Sequence, residues 1–238
     1  MSKLHIITPV KDSLKTTLLT IDGIKQSETT VPYEYFVYND FSTDENSRIL
    51  GDEAAKQNFE IIHLKDITTH PSPNYLLVLQ MAQKKALSQN AHLLVIESDV
   101  VINQNTISQL YENVGLLHNP GMIAAVTTDE KAKINFPYLY ARKYKTAVIN
   151  TRKRLSFCCT LITNDFLKAY NFEELNPEKS WYDVFISHKS IALGFNNYLM
   201  TNLPVLHLPH SSRPWKLLKY SNPMKYYWRK FVDKRDKI

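Results

Sequence analysis

Two carboxylates, Glu97 and Asp99, sit two residues apart at the end of an apolar run, His92-Leu93-Leu94-Val95-Ile96. Alternate residues of extended chain point the same way, so both acids can face one ion or ligand. Hard oxygen ligands of this kind suit Mg²⁺ or Mn²⁺ held together with substrate phosphates. Three more stretches place acids or imidazoles where the pattern predicts an element end. They are Asn39-Asp40, Trp181-Tyr182-Asp183, and His207-Leu208-Pro209-His210 after the apolar pair Val205-Leu206. The plain alternative for Glu97-Ser98-Asp99 is a polar turn after a core strand.

The elements that must position these groups follow from the apolar pattern. The continuous run Leu93–Ile96 predicts a strand buried on both faces. Leu4–Val10, the β-former-rich Tyr33–Tyr38 and Phe59–Leu64 predict three earlier strands. Helices are predicted from Leu14 to Ile21, from a cap at Ser42, Thr43 or Asp44 through Ala54, and from Tyr75 to Leu87. This strand–helix alternation is the pattern of a mostly parallel sheet with crossover helices. Ligands of such sheets bind outside the carboxyl ends of the strands. Beyond residue 100 the pattern predicts a helix over 106–117, strands at 122–126 and 157–161, a short helix capped by Asn164, and a helix over 181–193 ended by Gly194. Residues 66–74, with Pro71 and Pro73, read as a loop. Residues 129–155 are basic and aromatic without a period and read as an excursion.

The chain has 238 residues, 44% of them apolar, enough for one large α/β domain. Its two cysteines, Cys158 and Cys159, are adjacent, so they form no disulfide or zinc framework and fit a reducing compartment. No apolar run reaches membrane-spanning length, and Met1–Ile7 lacks the apolar core of a signal peptide. A cytoplasmic location is expected. The net charge of +6 is concentrated at one end: residues 211–238 hold nine Lys/Arg against Asp233 and Asp236.

In order and spacing these motifs resemble the family 2 inverting glycosyltransferases of the GT-A fold. Ile7-Thr8-Pro9-Val10-Lys11-Asp12 looks like the family's opening strand and loop. Val37-Tyr38-Asn39-Asp40-Phe41-Ser42-Thr43-Asp44 resembles its VVDDGSTD segment. Leu94–Asp99 resembles its DxD segment, and Trp181-Tyr182-Asp183, with Lys189 and Gly194, its ED helix. Cys158–Phe172 looks like the acceptor-side strand and helix. The resemblance covers roughly residues 3–212. It implies a GT-A domain over 1–212, with a nucleotide-sugar half (about 1–102) and an acceptor half (about 103–212), followed by a basic aromatic tail over 213–238.

The resemblance also implies roles. Thr8, Pro9, Lys11, Asp40, Glu97 and Ser98 would contact the nucleotide-diphosphate sugar. Asp99 would hold Mn²⁺ or Mg²⁺, joined after the last strand by His207 or, at a poorer position, His210. The metal would offset charge growing on the diphosphate leaving group. Asp183, at a helix start that favours its ionised form, would take the proton of the attacking acceptor hydroxyl. The acceptor would be a saccharide or a lipid-linked one, in polysaccharide, lipopolysaccharide or glycolipid assembly. The sequence departs from the family at Glu97 (for Asp), Asn39 (for Asp), Phe41 (for Gly) and Tyr182 (for an acid), which leaves the donor open.

The tail interleaves bases with Trp215, Tyr220, Tyr226, Tyr227, Trp228 and Phe231. It reads as an amphipathic surface for an anionic membrane or as a helix packed back on the domain. Pro223 would break any single long helix there. Nucleic acid is not expected as a partner, because the body is nearly neutral and carries no nucleic-acid motif. Two rival functions remain: a sugar-nucleotide nucleotidyltransferase, disfavoured by the glycine-free loop 8–13, and a non-catalytic module that keeps the fold.

Overall fold

The structure is a computed structural model that describes residues 3–208 and 222–232. The chain divides into two compact units, 1–208 and 209–238.

In the first unit, β1 (Leu4–Val10), β2 (Tyr33–Asn39), β3 (Glu60–His63) and β4 (His92–Ile96) alternate with α1 (Leu14–Lys25), α2 (Asp44–Gln57) and α3 (Tyr75–Ser88). Then come β5 (Val100–Val101), α4 (Thr106–Leu116), β6 (Pro120–Thr128), β7 (Val148–Asn150), β8 (Cys159–Ile162), α5 (Asn164–Ala169), α6 (Tyr182–Ala192) and β9 (Asn196–His207). All nine strands form one sheet in the order β3-β2-β1-β4-β8-β6-β9-β5, with β7 also on β9. The pairs β1–β2, β1–β4, β2–β3 and β6–β9 are parallel. β8 is the antiparallel strand inserted between β4 and β6. The carboxyl ends of β1, β2 and β4 therefore lie on one edge of the sheet, as the alternation predicts.

The sheet buries both faces. Leu93 and Val95 of β4 join Ile7, Phe36 and Tyr38 in a core under α3, α5 and α6. Leu94 and Ile96 join Ile6, Val37, Ile21, Leu50 and Leu110 in a second core under α1, α2 and α4. A strand packed on both sides has no polar alternation to show, which is why β4 reads as an unbroken apolar run.

Three local details differ from expectation. The excursion over 129–155 contains a single-turn 3₁₀ helix (Leu139–Lys143) and the strand β7, antiparallel to β9. At α5 the cap is Thr163, whose hydroxyl accepts the Phe166 amide, and not Asn164. Asn164 is the first helical residue and donates its side-chain amide to the Ala91 carbonyl. In the second unit Pro223 opens the helix α7 (Pro223–Val232), where a missing N–H costs nothing. His210, Trp215, Tyr220 and the other tail residues at 213–221 and 233–238 lie outside the described residues.

Candidate active site

The loops that follow β1 and β2 are tied to each other. Lys11 donates its ammonium to the Phe41 carbonyl and pairs with Asp12 at 2.9 Å. Asp12 Oδ1 accepts the Thr43 amide at 2.7 Å, and the Asp12 amide reaches Ser42 Oγ. These bonds, together with the Lys11 ammonium, hold the Asp12 carboxyl below the usual carboxylate range against the opposing effect of partial burial. Phe41 stands where the resembling family has glycine, and it takes φ +57°. A left-handed φ costs an L-residue about 1–2 kcal/mol; the Lys11 bond to its carbonyl and its packing against the core oppose that strain. Thr8 points into the core and accepts the Tyr35 hydroxyl at 3.0 Å, while Pro9 is paired within β1 against Tyr38.

Asp40, buried at the end of β2, spends its carboxylate on the loop before α3. Its Oδ2 accepts the Ser72 hydroxyl at 2.6 Å and the Asn74 amide at 2.9 Å; its Oδ1 accepts the Asn74 side chain at 2.8 Å. Those bonds set where α3 begins and hence where its first residue, Tyr75, stands.

At the end of β4 the chain turns through Ser98 and Asp99 into β5. Val100 of β5 pairs with His207 at the end of β9, and the Leu208 amide donates to the Asp99 carbonyl. This short antiparallel ladder brings together two residues far apart in sequence. Asp99 Oδ2 lies 3.6 Å from His207 Nε2. Asp99 Oδ1 is buried and has no hydrogen-bond partner among the described residues. The His207 Nδ1 lies 3.0 Å from the Phe136 carbonyl, a bond that places its proton on Nδ1. That leaves Nε2 facing Asp99: the charged ring donates to the carboxylate there, and the neutral ring would offer its Nε2 lone pair to a metal. Burial lowers the His207 pKa, but the hydrogen bond and charge of Asp99, with the charge of Glu97, outweigh it and leave it raised. Glu97 lies beside Cys158, whose thiol reaches its Oε2 at 3.4 Å. Ligand atoms of Glu97, Cys158 and His207 all lie within 4.8 Å of one another. Glu97, Cys158 and His207 are the group among the described residues that could hold a metal ion, and Asp99, 3.6 Å from His207, stands outside it.

Asp183 is in the first turn of α6. Its Oδ1 accepts the Val184 amide and its Oδ2 pairs with Arg154 at 3.3 Å. Ser187 donates to the Asp183 carbonyl and accepts the Leu155 amide, tying α6 to the end of the excursion. Tyr75, the first residue of α3, stands within electrostatic reach of Asp183 and of Glu97 and Asp99 after β4. Its ring stands 6.3 Å from that of Tyr182, and its buried hydroxyl has no hydrogen-bond partner among the described residues. Burial pushes that hydroxyl well above the ordinary tyrosine value, and the charges of Glu97, Asp183, Cys158 and Asp99 push it further. It therefore stays protonated and can only gain by donating to an anion. Sequence reasoning missed Tyr75, Cys158 and Arg154. The signal for Tyr75 was its place just after the Pro71–Asn74 loop; nothing in local pattern marked the other two.

No protein-family model and no curated protein matches the sequence. Solved structures do resemble the fold. Staphylococcus aureus TarS, residues 1–349 in complex with UDP-GlcNAc, aligns over 89% of this chain with a TM-score of 0.68 and 16% identity. GalNAc-T7 with UDP, GalNAc and Mn²⁺ aligns over 89% with a TM-score of 0.66 and 12% identity. The mannosyltransferase PcManGT of Pyrobaculum calidifontis, with GDP-Man and Mn²⁺, aligns over 97% with a TM-score of 0.62 and 12% identity. This chain spans 60%, 45% and 64% of those chains respectively. The chain has the GT-A glycosyltransferase fold.

Proposed function

We propose that the domain is a metal-dependent, inverting glycosyltransferase of the hexosyltransferase type that moves a sugar from a nucleotide-diphosphate donor to an acceptor hydroxyl. The observation that carries this reading is the Asp99–His207 pair, with one buried carboxylate oxygen that has no partner among the described residues and an imidazole oriented through Nδ1. Asp99 and His207 would hold Mn²⁺ or Mg²⁺, with Glu97 beside them. When bound, such an ion neutralises charge growing on the diphosphate.

The chain's own groups do the rest. Lys11, Glu97 and Ser98, at the carboxyl ends of β1 and β4, face the donor. Asp40 acts through Asn74 and places the start of α3. The Tyr75 hydroxyl donates to the diphosphate as its charge grows. Asp183 accepts the proton of the acceptor hydroxyl while that oxygen attacks the anomeric carbon from the face opposite the leaving group. Arg154 holds Asp183 in place before the acceptor arrives. The fold neighbours, with bound UDP, UDP-GlcNAc or GDP-Man, support a nucleotide-sugar donor. The nucleotidyltransferase reading is weaker, because the turn after β1 has no glycine cradle. For the acceptor we favour a saccharide or lipid-linked substrate at an anionic membrane surface. Exposed Met224, Tyr227, Trp228 and Val232 on α7, among the tail's bases, support that placement. Among the described residues no helix is long and apolar enough to cross a membrane.

The test is calorimetric titration of UDP, GDP, TDP, CDP and ADP with Mn²⁺, then with EDTA. Selective binding of one, lost with EDTA, is the expected result. Binding of none overturns the reading in favour of a degenerate module. Asp183→Asn should leave donor affinity intact while transfer falls by roughly 10²–10⁴-fold, the usual worth of a general base. Removal of residues 213–238 should release the protein from anionic vesicles.

A further inference from the structure

Cys158 is the member of this cluster that a set of hard oxygen ligands would not contain. It is buried, 2% exposed, at the start of the antiparallel strand β8. The Glu97 amide donates to the Cys158 carbonyl at 3.0 Å, which fixes the two residues side by side. The thiol then lies 3.4 Å from Glu97 Oε2 and 3.3 Å from Ser156 Oγ. It shares a 4.8 Å sphere with the ligand atoms of Glu97 and His207. Two atoms bound to one ion at about 2.0–2.3 Å are at most about 4.6 Å apart, so small side-chain adjustments close this set on a single ion. Asp99, 3.6 Å from His207 Nε2, stands at the edge of this set, with a buried Oδ1 that has no partner among the described residues.

We propose that Cys158 is a metal ligand and that the site therefore selects a thiophilic ion, Zn²⁺ or Co²⁺ ahead of Mn²⁺ and Mn²⁺ ahead of Mg²⁺. Carboxylates alone suit Mg²⁺; an imidazole and a sulfur move a site toward borderline and soft ions. On binding, the thiol gives its proton to solvent and the sulfur bonds the ion as thiolate. The inference rests on the metal-dependent reading above and narrows it.

The experiment is optical titration of the full chain with Co²⁺, which reports sulfur ligation by a near-ultraviolet charge-transfer band without any need for activity. The wild type should show the band, Cys158→Ala should lose it, and Cys159→Ala should keep it. Cys159 is a suitable control because it is buried in the second core and belongs to no group of metal-ligating side chains among the described residues. Cys158→Ala should also weaken Zn²⁺ binding at least about 10–100-fold, the loss seen even for groups that only support a ligand, and leave Mg²⁺ binding unchanged. Co²⁺ binding to the wild type without the band overturns the thiolate ligand but leaves the metal site standing. That arm needs no variant to fold. Failure of Co²⁺, Zn²⁺ and Mn²⁺ to bind, with or without UDP or GDP, overturns both.

Discussion

Asp40 follows β2 and Asp99 follows β4, on the same edge of the same sheet, and both carboxylates are largely withdrawn from water. Asp40 accepts three hydrogen bonds from Ser72 and Asn74. Asp99 has an oxygen with no donor among the described residues and an imidazole nitrogen 3.6 Å from the other. A buried carboxylate with its donors in place is part of the fold; one left short of donors is waiting for a ligand. On the proposed reading, the difference separates a residue that builds the site from one that uses it, although the two follow strands on the same edge.

The comparison is broken most directly at Asp99. Asp99→Asn should reduce metal-dependent nucleotide binding by at least about 100-fold, close to 2.7 kcal/mol, with the melting temperature unchanged or raised. Calorimetry and thermal denaturation of one sample decide it; a folded variant that binds normally would return Asp99 to the status of a turn residue. Asp40→Asn should do the reverse. Hydrogen bonds to a charged group are worth about 1.5–3 kcal/mol each, so weakening this set should cost roughly 2–4 kcal/mol. At about 2–4 °C per kcal/mol for a domain of this size, the loss is easily read. If Asp40→Asn melts normally and binds nucleotide poorly, Asp40 touches the donor after all. Between these lies Tyr75→Phe, which keeps the ring against Tyr182 and removes only the hydroxyl. Transfer should fall roughly 10–100-fold, the worth of one bond to a charged group, with stability unchanged.

The contrast also explains what the sequence could show. The first half reads well because its elements are local: β4 is apolar on both faces, α3 shows its stripe of Val78, Leu79, Ala82 and Ala86, and Thr43 caps α2 as the pattern implies. The positions of Asp99, Asp183 and His207 at element ends were legible for the same reason. The hydrogen bonds that Asp40 makes were not, because its partners at 72 and 74 sit in a Pro-containing loop with no periodicity. Cys158 and Arg154 were invisible as site residues because only long-range pairing, β8 against β4 and the excursion against α6, brings them to the acids. β7 was hidden likewise: a three-residue strand with one buried residue, Ile149, has too little pattern to read.

The smallest effect concerns a polar group that is finished with its bonds. His92, at the start of β4, accepts the Asn164 amide on Nδ1 at 2.9 Å, which places its proton on Nε2. Burial lowers its pKa; nearby Asp165 opposes this and Lys168 assists. His5 of β1 is likewise lowered by burial, against the Gln89 bond and Glu34, with Lys85 and Lys3 assisting. With the folded pKa below the unfolded one, the unfolded chain binds more protons at mildly acid pH. The stability these residues contribute is complete above the unfolded value of about 6.5 and is lost as pH falls through the folded one. The His5 and His92 contribution to the melting temperature should therefore decline between about pH 7 and pH 5, while His207, whose folded pKa is raised, acts in the opposite sense. His92→Gln, which can still accept the Asn164 amide but does not titrate, should flatten part of that decline. An unchanged slope would mean that protonated His92 finds a partner in the fold, and that β4 is less closed at its start than at its carboxyl end.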